Sequence, residues 1–394
     1  LNHAGGAFNS QSIDYFNRPR DPGRSNNLYF DRNGAEWAGG RVFEYDEPDV
    51  RQYLIDVCRT FLLEYRMDGL RHDEVRVIDW NGGFRFLQDL TATLRFAKPS
   101  AVQIAEYWGD VRELGVLPPP RGLGFDLGYD DRLRDAVRET LAEATEGEGG
   151  RVRVSRIANA LFPRREFDGA FRQYVCLENH DLEDANHSES DRKPRIARLA
   201  GGNDSRSWFA TSRSRVANAL LLTAPGTPML FMGQEFLEDK FWSDDPRRSE
   251  LLIWWDGLSS GDRAMVDFVR FMRELCWLRR NTPALTGEGF NPFHANDDSR
   301  VLAFHRWVEG EGRDVVVVAS LSERTYYDRS YRIGFPGEGH WDEIFNSDVY
   351  EAFFNPNAQG NYGGVDATGP GLHGLPCSAG ITIPANGVLV FERR

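Results

Sequence analysis

The chain has almost no lysine. Lys98, Lys193 and Lys240 are the full set, and arginine carries nearly all of the positive charge. Acidic residues outnumber basic ones, 60 to 47, for a net charge of −13. That sign argues against a nucleic-acid partner, because phosphate binding needs a basic face. It offers nothing to an anionic membrane surface and suits a neutral substrate. Cysteine is scarce as well. Cys58, Cys176, Cys276 and Cys377 lie far apart with no C-x-x-C pair. They read as buried thiols in a reducing compartment, and cysteine ligation of a metal is not expected. There is no run of 18 apolar residues and no signal-like segment, so the expected location is cytoplasmic. No Walker A stretch appears, which removes the P-loop nucleotide-binding turn. Internal repeats and low-complexity tracts are also lacking.

What is present fits a globular protein. A length of 394 residues suits one large domain and a smaller one. The hydrophobic fraction of 41% allows a sizeable core. Aromatic residues make up 12%. They fill such a core, and they also suit a surface that stacks on sugar rings.

Residues 1–47 read as loop. Asp49–Tyr65 has the spacing of an amphipathic helix, with Val50, Tyr53, Leu54, Val57, Phe61 and Leu62 on one face. A strand is predicted at Met67–His72, a helix at Phe84–Phe96 and a strand at Ala101–Ala105. Gly124–Leu127 is a further short strand before a helix at Asp131–Ala144. Then come a strand at Gln173–Leu177, a helix at Arg213–Leu222, a strand at Met229–Met232 and a helix over Arg263–Arg280. This alternation predicts an α/β architecture with parallel strands. Reactive residues recur at strand C-termini, where (β/α)8 barrels carry their sites. After Pro283 the pattern changes to short apolar strands at Val301–Trp307, Val315–Leu321, Tyr331–Phe335, Ile381–Ile383 and Val388–Phe391. The expected domains are a partial (β/α)8 barrel over 1–288 and an all-β C-terminal sandwich over 289–394.

Four islands carry the chemistry: Leu1-Asn2-His3-Ala4-Gly5-Gly6, Asp68-Gly69-Leu70-Arg71-His72-Asp73, Ile104-Ala105-Glu106 and Glu178-Asn179-His180-Asp181. Arg71 and Asp73 are two apart, so in a strand they share a face. An arginine beside an aspartate keeps the carboxylate ionised, as a nucleophile requires. The pair is equally compatible with a surface salt bridge. Glu106 ends an apolar strand, where partial desolvation raises a carboxyl pKa and suits a general acid. It is also compatible with a capping or loop residue. His180 and Asp181 are a candidate dyad or ligand pair. No serine or cysteine completes a triad, and no third metal ligand has a recognisable spacing. Binding of sugar hydroxyls suits them better, and His3 invites the same reading. Two carboxylates are the minimum set for breaking a glycosidic bond with retention.

Taken together, the islands resemble the four motifs of the α-amylase family of glycoside hydrolases and transglycosylases. The likeness runs along the whole chain. Leu1-Asn2-His3 is similar to the end of the first motif. Gly69-Leu70-Arg71-His72-Asp73 is similar to the second, which implies that Asp73 is the nucleophile and Arg71 its partner. Ala105-Glu106 resembles the third and implies that Glu106 is the acid/base. Glu178-Asn179-His180-Asp181 resembles the fourth and implies that Asp181 stabilises the transition state. Asn2, His3, Arg71 and His180 are then the expected substrate contacts. Within the family the likeness is greatest to the glucan-branching members. It rests on Ala4-Gly5-Gly6, Tyr65-Arg66-Met67-Asp68-Gly69-Leu70-Arg71, Met229-Leu230-Phe231-Met232-Gly233-Gln234-Glu235-Phe236 and Phe345-Asn346-Ser347-Asp348. His72 and Glu74 stand where the family more often has small or apolar residues.

The resemblance implies a retaining transglycosylase that forms α-1,6 branches from α-1,4-glucan, with α-glucan as its partner and no cofactor or metal. A hydrolase of the same family is the first alternative, and a non-catalytic glucan-binding fragment the second. The chain begins inside the first motif, so about two and a half βα units are expected upstream of Leu1. Residues 1–394 alone would then form an open barrel that is poorly soluble or inactive.

Overall fold

The computed structural model describes residues 1–4, 29–31, 33–202 and 204–394. Most of the loop expected before residue 29 lies outside the described residues. The chain divides into two compact units. The first holds Leu1–Tyr129 and Arg164–Tyr174, the second Asp130–Pro163 and Val175–Arg394.

The first unit opens with a small antiparallel sheet, β1 (His3–Ala4), β2 (Glu36–Trp37) and β3 (Gly40–Val42), in the order β1-β3-β2. The loop expected over 1–47 therefore contains strands: this stretch is short and Gly-rich but still pairs, with His3 opposite Val42. Helix α1 (Pro48–Leu63) begins on a proline at its first turn, where the missing N–H costs nothing. It buries Val50, Leu54, Ile55, Cys58 and Leu62; of the face the sequence predicts, Tyr53 and Phe61 are exposed and Val57 is only partly buried, so the buried stripe is rotated toward Ile55 and Cys58. Next come β4 (Gly69–His72), α2 (Val75–Ile78), α3 (Phe84–Ala97), β5 (Val102–Ala105), α4 (Glu113–Val116) and β6 (Leu127–Tyr129). The strand expected at Gly124–Leu127 thus starts three residues later. Gly124 adopts φ 80°, a turn conformation that no ladder accommodates. Strands β4, β5, β6 and β7 (Gln173–Val175) pair in parallel in chain order. The unit's core joins Leu54, Ile78, Leu87, Leu90, Ala105 and Phe125.

In the second unit, β7 ends at Val175, whose carbonyl accepts the Met229 N–H. The strand beside it, β8, is only Thr227–Pro228. Met229–Met232, expected as a strand, is extended chain running into a turn. Gly233 at φ 86° ends it, and the Gln234 side chain accepts from Phe231 N–H at 3.0 Å. The helices are α5 (Arg132–Ala144), α6 (Val154–Ala160), α7 (Ile196–Gly201), α8 (Trp208–Thr223), α9 (Trp255–Ser260), α10 (Arg263–Asn281) and α11 (Pro283–Thr286). Ser207 caps α8 by accepting from Ala210 N–H, so that helix begins five residues before the predicted start.

From Gly289 the chain is strand-rich: β9 (Gly289–Asn296), β10 (Val301–Trp307), β11 (Val315–Ser320), β12 (Tyr326–Phe335), β13 (Gly339–Asn346), β14 (Val365–Ala367), β15 (Cys377–Ile383) and β16 (Val388–Arg393). One sheet runs β14-β13-β16-β11-β10-β9, and β12 pairs with β15 in another. The alternation of side chains explains how both faces are buried. Val301, Ala303, Val316, Val318, Leu389 and Phe391 point to a core shared with Ile333, Phe335, Ile381 and Ile383 of the smaller sheet. Their neighbours Leu302, Phe304, Val315, Val317, Val388 and Val390 point the other way, into a core shared with Leu220, Phe271 and Leu275 of the helices. Cys58, Cys176 and Cys377 are buried and in no disulfide. Cys276, also in none, is only partly buried, because its helix turns that face outward. No helix among the described residues is long and apolar enough to cross a membrane.

Candidate active site

In the first unit, two carboxylates stand just past the C-terminal ends of adjacent strands. Asp73 follows β4 and Glu106 follows β5. The backbone continues the pairing beyond the strands. Glu106 N–H donates to His72 C=O at 3.0 Å, and Val75 N–H donates to Glu106 C=O at 2.9 Å. Between them Glu74 takes a left-handed conformation, φ 43°. This is a strained position for a residue with a side chain. It aims the Glu74 N–H at the Glu106 carboxylate, 2.9 Å away at Oε2.

Arg71 joins the two acids. Its Nη1 donates to Asp73 Oδ1 at 2.8 Å, and its Nη2 lies 2.5 Å from Glu106 Oε1. Asn2 donates its amide to Asp73 Oδ2 at 2.9 Å. Tyr45 holds Asn2 in place by donating its hydroxyl to the carbonyls of Leu1, at 2.9 Å, and Asn2, at 3.0 Å. Glu106 is buried at 3% exposure, whereas half of the Asp73 side chain is open to solvent. Burial pushes the Asp73 carboxyl up, but the Asn2 amide, the Arg71 guanidinium and the Glu106 carboxyl outweigh it. The net value lies below the ordinary carboxylate range. Arg71 is correspondingly held more firmly protonated: burial opposes its charge, and Glu106 and Asp73 overcome that. His3 lies close enough to Asp73 for its pKa to feel that carboxylate, although burial dominates and lowers it.

Aromatic side chains line the same region, and the sequence reading passed over them. Trp108 packs against Tyr129 with ring centroids 5.1 Å apart, and Tyr129 against Tyr174 at 4.7 Å. Arg76 donates to the Trp108 carbonyl at 2.6 Å and lies over the exposed Trp80 ring. Gly109, at φ 98°, leaves room for that arginine: a Cβ there would fall 1.1 Å from Arg76 Nη1. The available signal was proximity in sequence. Trp80 lies seven residues after Asp73, and Trp108 two after Glu106.

His72 points to the other side of the sheet. It is fully buried edge-on against Phe125, and burial pushes its pKa down to about 3 from an ordinary 6.5. Between those values the unfolded chain binds a proton that the folded chain excludes. Stability therefore falls as pH drops from about 6.5 toward 3, by up to about 1.4 kcal/mol per pH unit. His72→Leu is expected to flatten this part of the profile. Urea midpoints at pH 7 and pH 5 would check it, and an unchanged difference between them would contradict it.

In the second unit, Glu178-Asn179-His180-Asp181 forms a braced turn past β7. His180 Nε2 lies 3.2 Å from Asp181 Oδ1, and both side chains are about half exposed. His180 meets Trp242 edge-on at 5.9 Å. Asn179 Oδ1 accepts from Leu182 N–H, and Glu183 Oε2 accepts from Asn179 N–H, each at 2.9 Å. Beneath lies a buried ionic group. Glu178 pairs with Arg195 at 3.0 Å, and Glu183 with Arg138 at 3.0 Å. Arg195 also donates to Met232 C=O, and Arg138 to Leu177 C=O. Burial and the nearby Glu178 push the Glu183 carboxyl up to about 8, although Arg138 and the Asn179 N–H pull it down. Arg138 interrupts the apolar stripe of α5, and that interruption was the only hint of this support in the sequence.

The structure thus brings Asn2, His3, Arg71, Asp73 and Glu106 together in the first unit, and His180 with Asp181 in the second. Among the described residues, no cluster of three or more His, Cys, Asp or Glu side chains could hold a metal.

The fold is that of the α-amylase enzymes, here a five-stranded parallel sheet consistent with part of a barrel, followed by an all-β domain. The α-amylase of Geobacillus thermoleovorans, solved with acarbose, superposes with a TM-score of 0.63 at 18% identity, over 93% of this chain and 70% of that one. The debranching enzyme of Nostoc punctiforme gives 0.61 at 19% identity, over 95% and 68%. Residues 294–394 match the α-amylase C-terminal all-β domain. In sequence, the chain is similar to 1,4-α-glucan branching enzymes called GlgB. It is 29% identical to that of Mycolicibacterium paratuberculosis, over 91% of this chain and 49% of the relative, and 29% identical to that of Mycobacterium tuberculosis, over 90% and 48%. The chain spans about half the length of these relatives. The resemblance to the α-amylase family, and to its branching enzymes in particular, holds along nearly the whole chain.

Proposed function

We propose that the protein is a retaining transglycosylase that builds α-1,6 branches from α-1,4-glucan. The observation that carries this reading is the single guanidinium of Arg71 holding both Asp73 and Glu106, at 2.8 and 2.5 Å. Paired carboxyls this close suit retention, because inversion needs room for a water between them. Asp73, kept ionised by Asn2 and Arg71, attacks the anomeric carbon. The glycosidic C–O bond breaks, and the Glu106 proton passes to the leaving oxygen. A glucosyl ester on Asp73 results. Glu106, now a carboxylate, takes the proton from the 6-hydroxyl of an acceptor glucan. That oxygen attacks the anomeric carbon, and Asp73 leaves as a carboxylate. Asp181, His180, Asn2 and His3 are the further donors and acceptors assigned to the substrate in this reading. The barrel region, 1–288, is the catalytic part, and 289–394 is an accessory β-domain. Four cysteines in no disulfide fit a reducing, cytoplasmic location.

A hydrolase of the same architecture would admit water where the acceptor hydroxyl enters. The two reactions differ in their products. Incubation with amylose is expected to shift and weaken the iodine stain while freeing few reducing ends. Reducing ends that rise in step with the loss of stain would assign hydrolysis instead.

A further inference from the structure

A second site lies in the β-domain. A depression of about 350 Å³ is lined by Tyr327, Asp328, Arg329, Gln359, Tyr362 and Thr382. That volume is within the range of small-ligand sites. Tyr362 is 92% exposed and Tyr327 is 57% exposed. Rings this open bury no core, so packing does not explain them.

The backbone beneath them is strained. Tyr362, Asp328 and Arg329 all adopt left-handed φ, at 48°, 54° and 54°. Non-glycine residues hold such conformations only where the surroundings fix them, and they cluster at binding sites. Here the surroundings do fix them. Asn361, fully buried beside Tyr362, donates its amide to Glu343 Oε2 at 2.7 Å and to Thr382 C=O at 3.1 Å. Its Oδ1 accepts from Thr382 N–H at 2.9 Å. Arg329 donates to the carbonyls of Asn361, at 3.3 Å, and Gly364, at 3.2 Å, while its N–H donates to Thr382 Oγ1 at 3.1 Å. Asn346 and Asp348, in a turn the sequence already singled out, hold Gln359 by its carbonyl and its N–H, each at 2.8 Å. The loop carrying Tyr362 and Gln359 is thus clamped to the strand edge carrying Tyr327.

We propose that this depression binds the pyranose rings of an α-1,4-glucan, anchoring the polymer away from the reacting carboxylates. The substrate class rests on the function proposed above. A flat tyrosine face stacks on the C–H face of a sugar, and the Asp328 carboxylate and the Gln359 amide oxygen can accept from the hydroxyls around its rim. An apolar protein surface would leave the Asp328 carboxylate unpaired, which disfavours such a partner.

The test is affinity electrophoresis of the full chain in gels cast with glycogen, with hydroxyethyl cellulose or with no polysaccharide. Tyr362→Ala and Tyr327→Ala are expected to weaken glycogen retardation by about fivefold each, and Tyr362→Phe to restore it. Far-ultraviolet circular dichroism and thermal melting would establish that the variants fold. Glycogen retardation equal in wild type and both alanine variants would overturn the site, as would an absence of retardation by either polysaccharide. Tyrosine-dependent retardation by hydroxyethyl cellulose alone would also overturn the α-glucan assignment, while iodine-stain activity on amylose separately reads the function proposed above. Tyr362-dependent capture of a protein, without retardation by sugar, would assign the surface to a protein partner and contradict the proposal.

Discussion

Asp73→Asn is expected to lower glucan transfer by about 10⁴-fold or more while leaving glucan affinity nearly unchanged. The amide keeps the size of the carboxylate but cannot attack the anomeric carbon. It can still receive the Arg71 guanidinium at Oδ1, at the expense of the hydrogen bond from Asn2. The loss should therefore fall on kcat and not on binding. Purified Asp73→Asn that still turns over amylose would mean that the nucleophile lies elsewhere.

The largest effect on stability is expected at Arg195. This side chain is almost wholly buried, paired with Glu178 at 3.0 Å, donating to Met232 C=O at 2.7 Å and lying over the Phe231 ring. Arg195→Ala leaves the Glu178 carboxylate buried without its cation. Breaking such a pair costs about 3–5 kcal/mol. Adding Glu178→Gln should recover much of that loss, because no unpaired charge remains and the amide oxygen still accepts the Ile196 N–H. Urea unfolding of the single and double variants would measure both quantities. A double variant as unstable as Arg195→Ala would show that packing of the arginine, and not its charge, is what matters there.

The candidate site was legible in the sequence because its residues sit at strand ends, where short apolar runs stop. Asp73 and Glu106 each close such a run, and parallel pairing of the two strands sets them side by side. What escaped was the support that comes from far along the chain. Nothing near Glu178 or Glu183 in sequence points to Arg138 or Arg195, and nothing in a gapped aromatic pattern links Trp80 to Trp108 through Arg76. Helices were read well where one face is apolar, as in α1 and α10. Strand errors arose where burial and pairing diverge. In Met229–Met232 only Phe231 is buried and Met232 is exposed, and the segment has no strand of its own. Strand β9 was missed because it is an edge with Pro292 in it. The register slips between Ala303 and His305 opposite that proline, so its missing N–H leaves no gap in the ladder. Strand β13 was hidden by Glu343, a carboxylate turned toward Asn346 and Asn361 where the pattern would place an apolar residue.

The central claim is that Asp73 carries the glycosyl group through a covalent ester. Incubating the protein with 5-fluoro-α-D-glucosyl fluoride, which forms such an ester faster than it can be released, tests this most directly. After proteolysis, tandem mass spectrometry is expected to place the 5-fluoroglucosyl adduct on Asp73, and the label should disappear when an acceptor glucan is added. An adduct on Glu106 or any other carboxylate, or inactivation with no adduct on Asp73, would contradict the account.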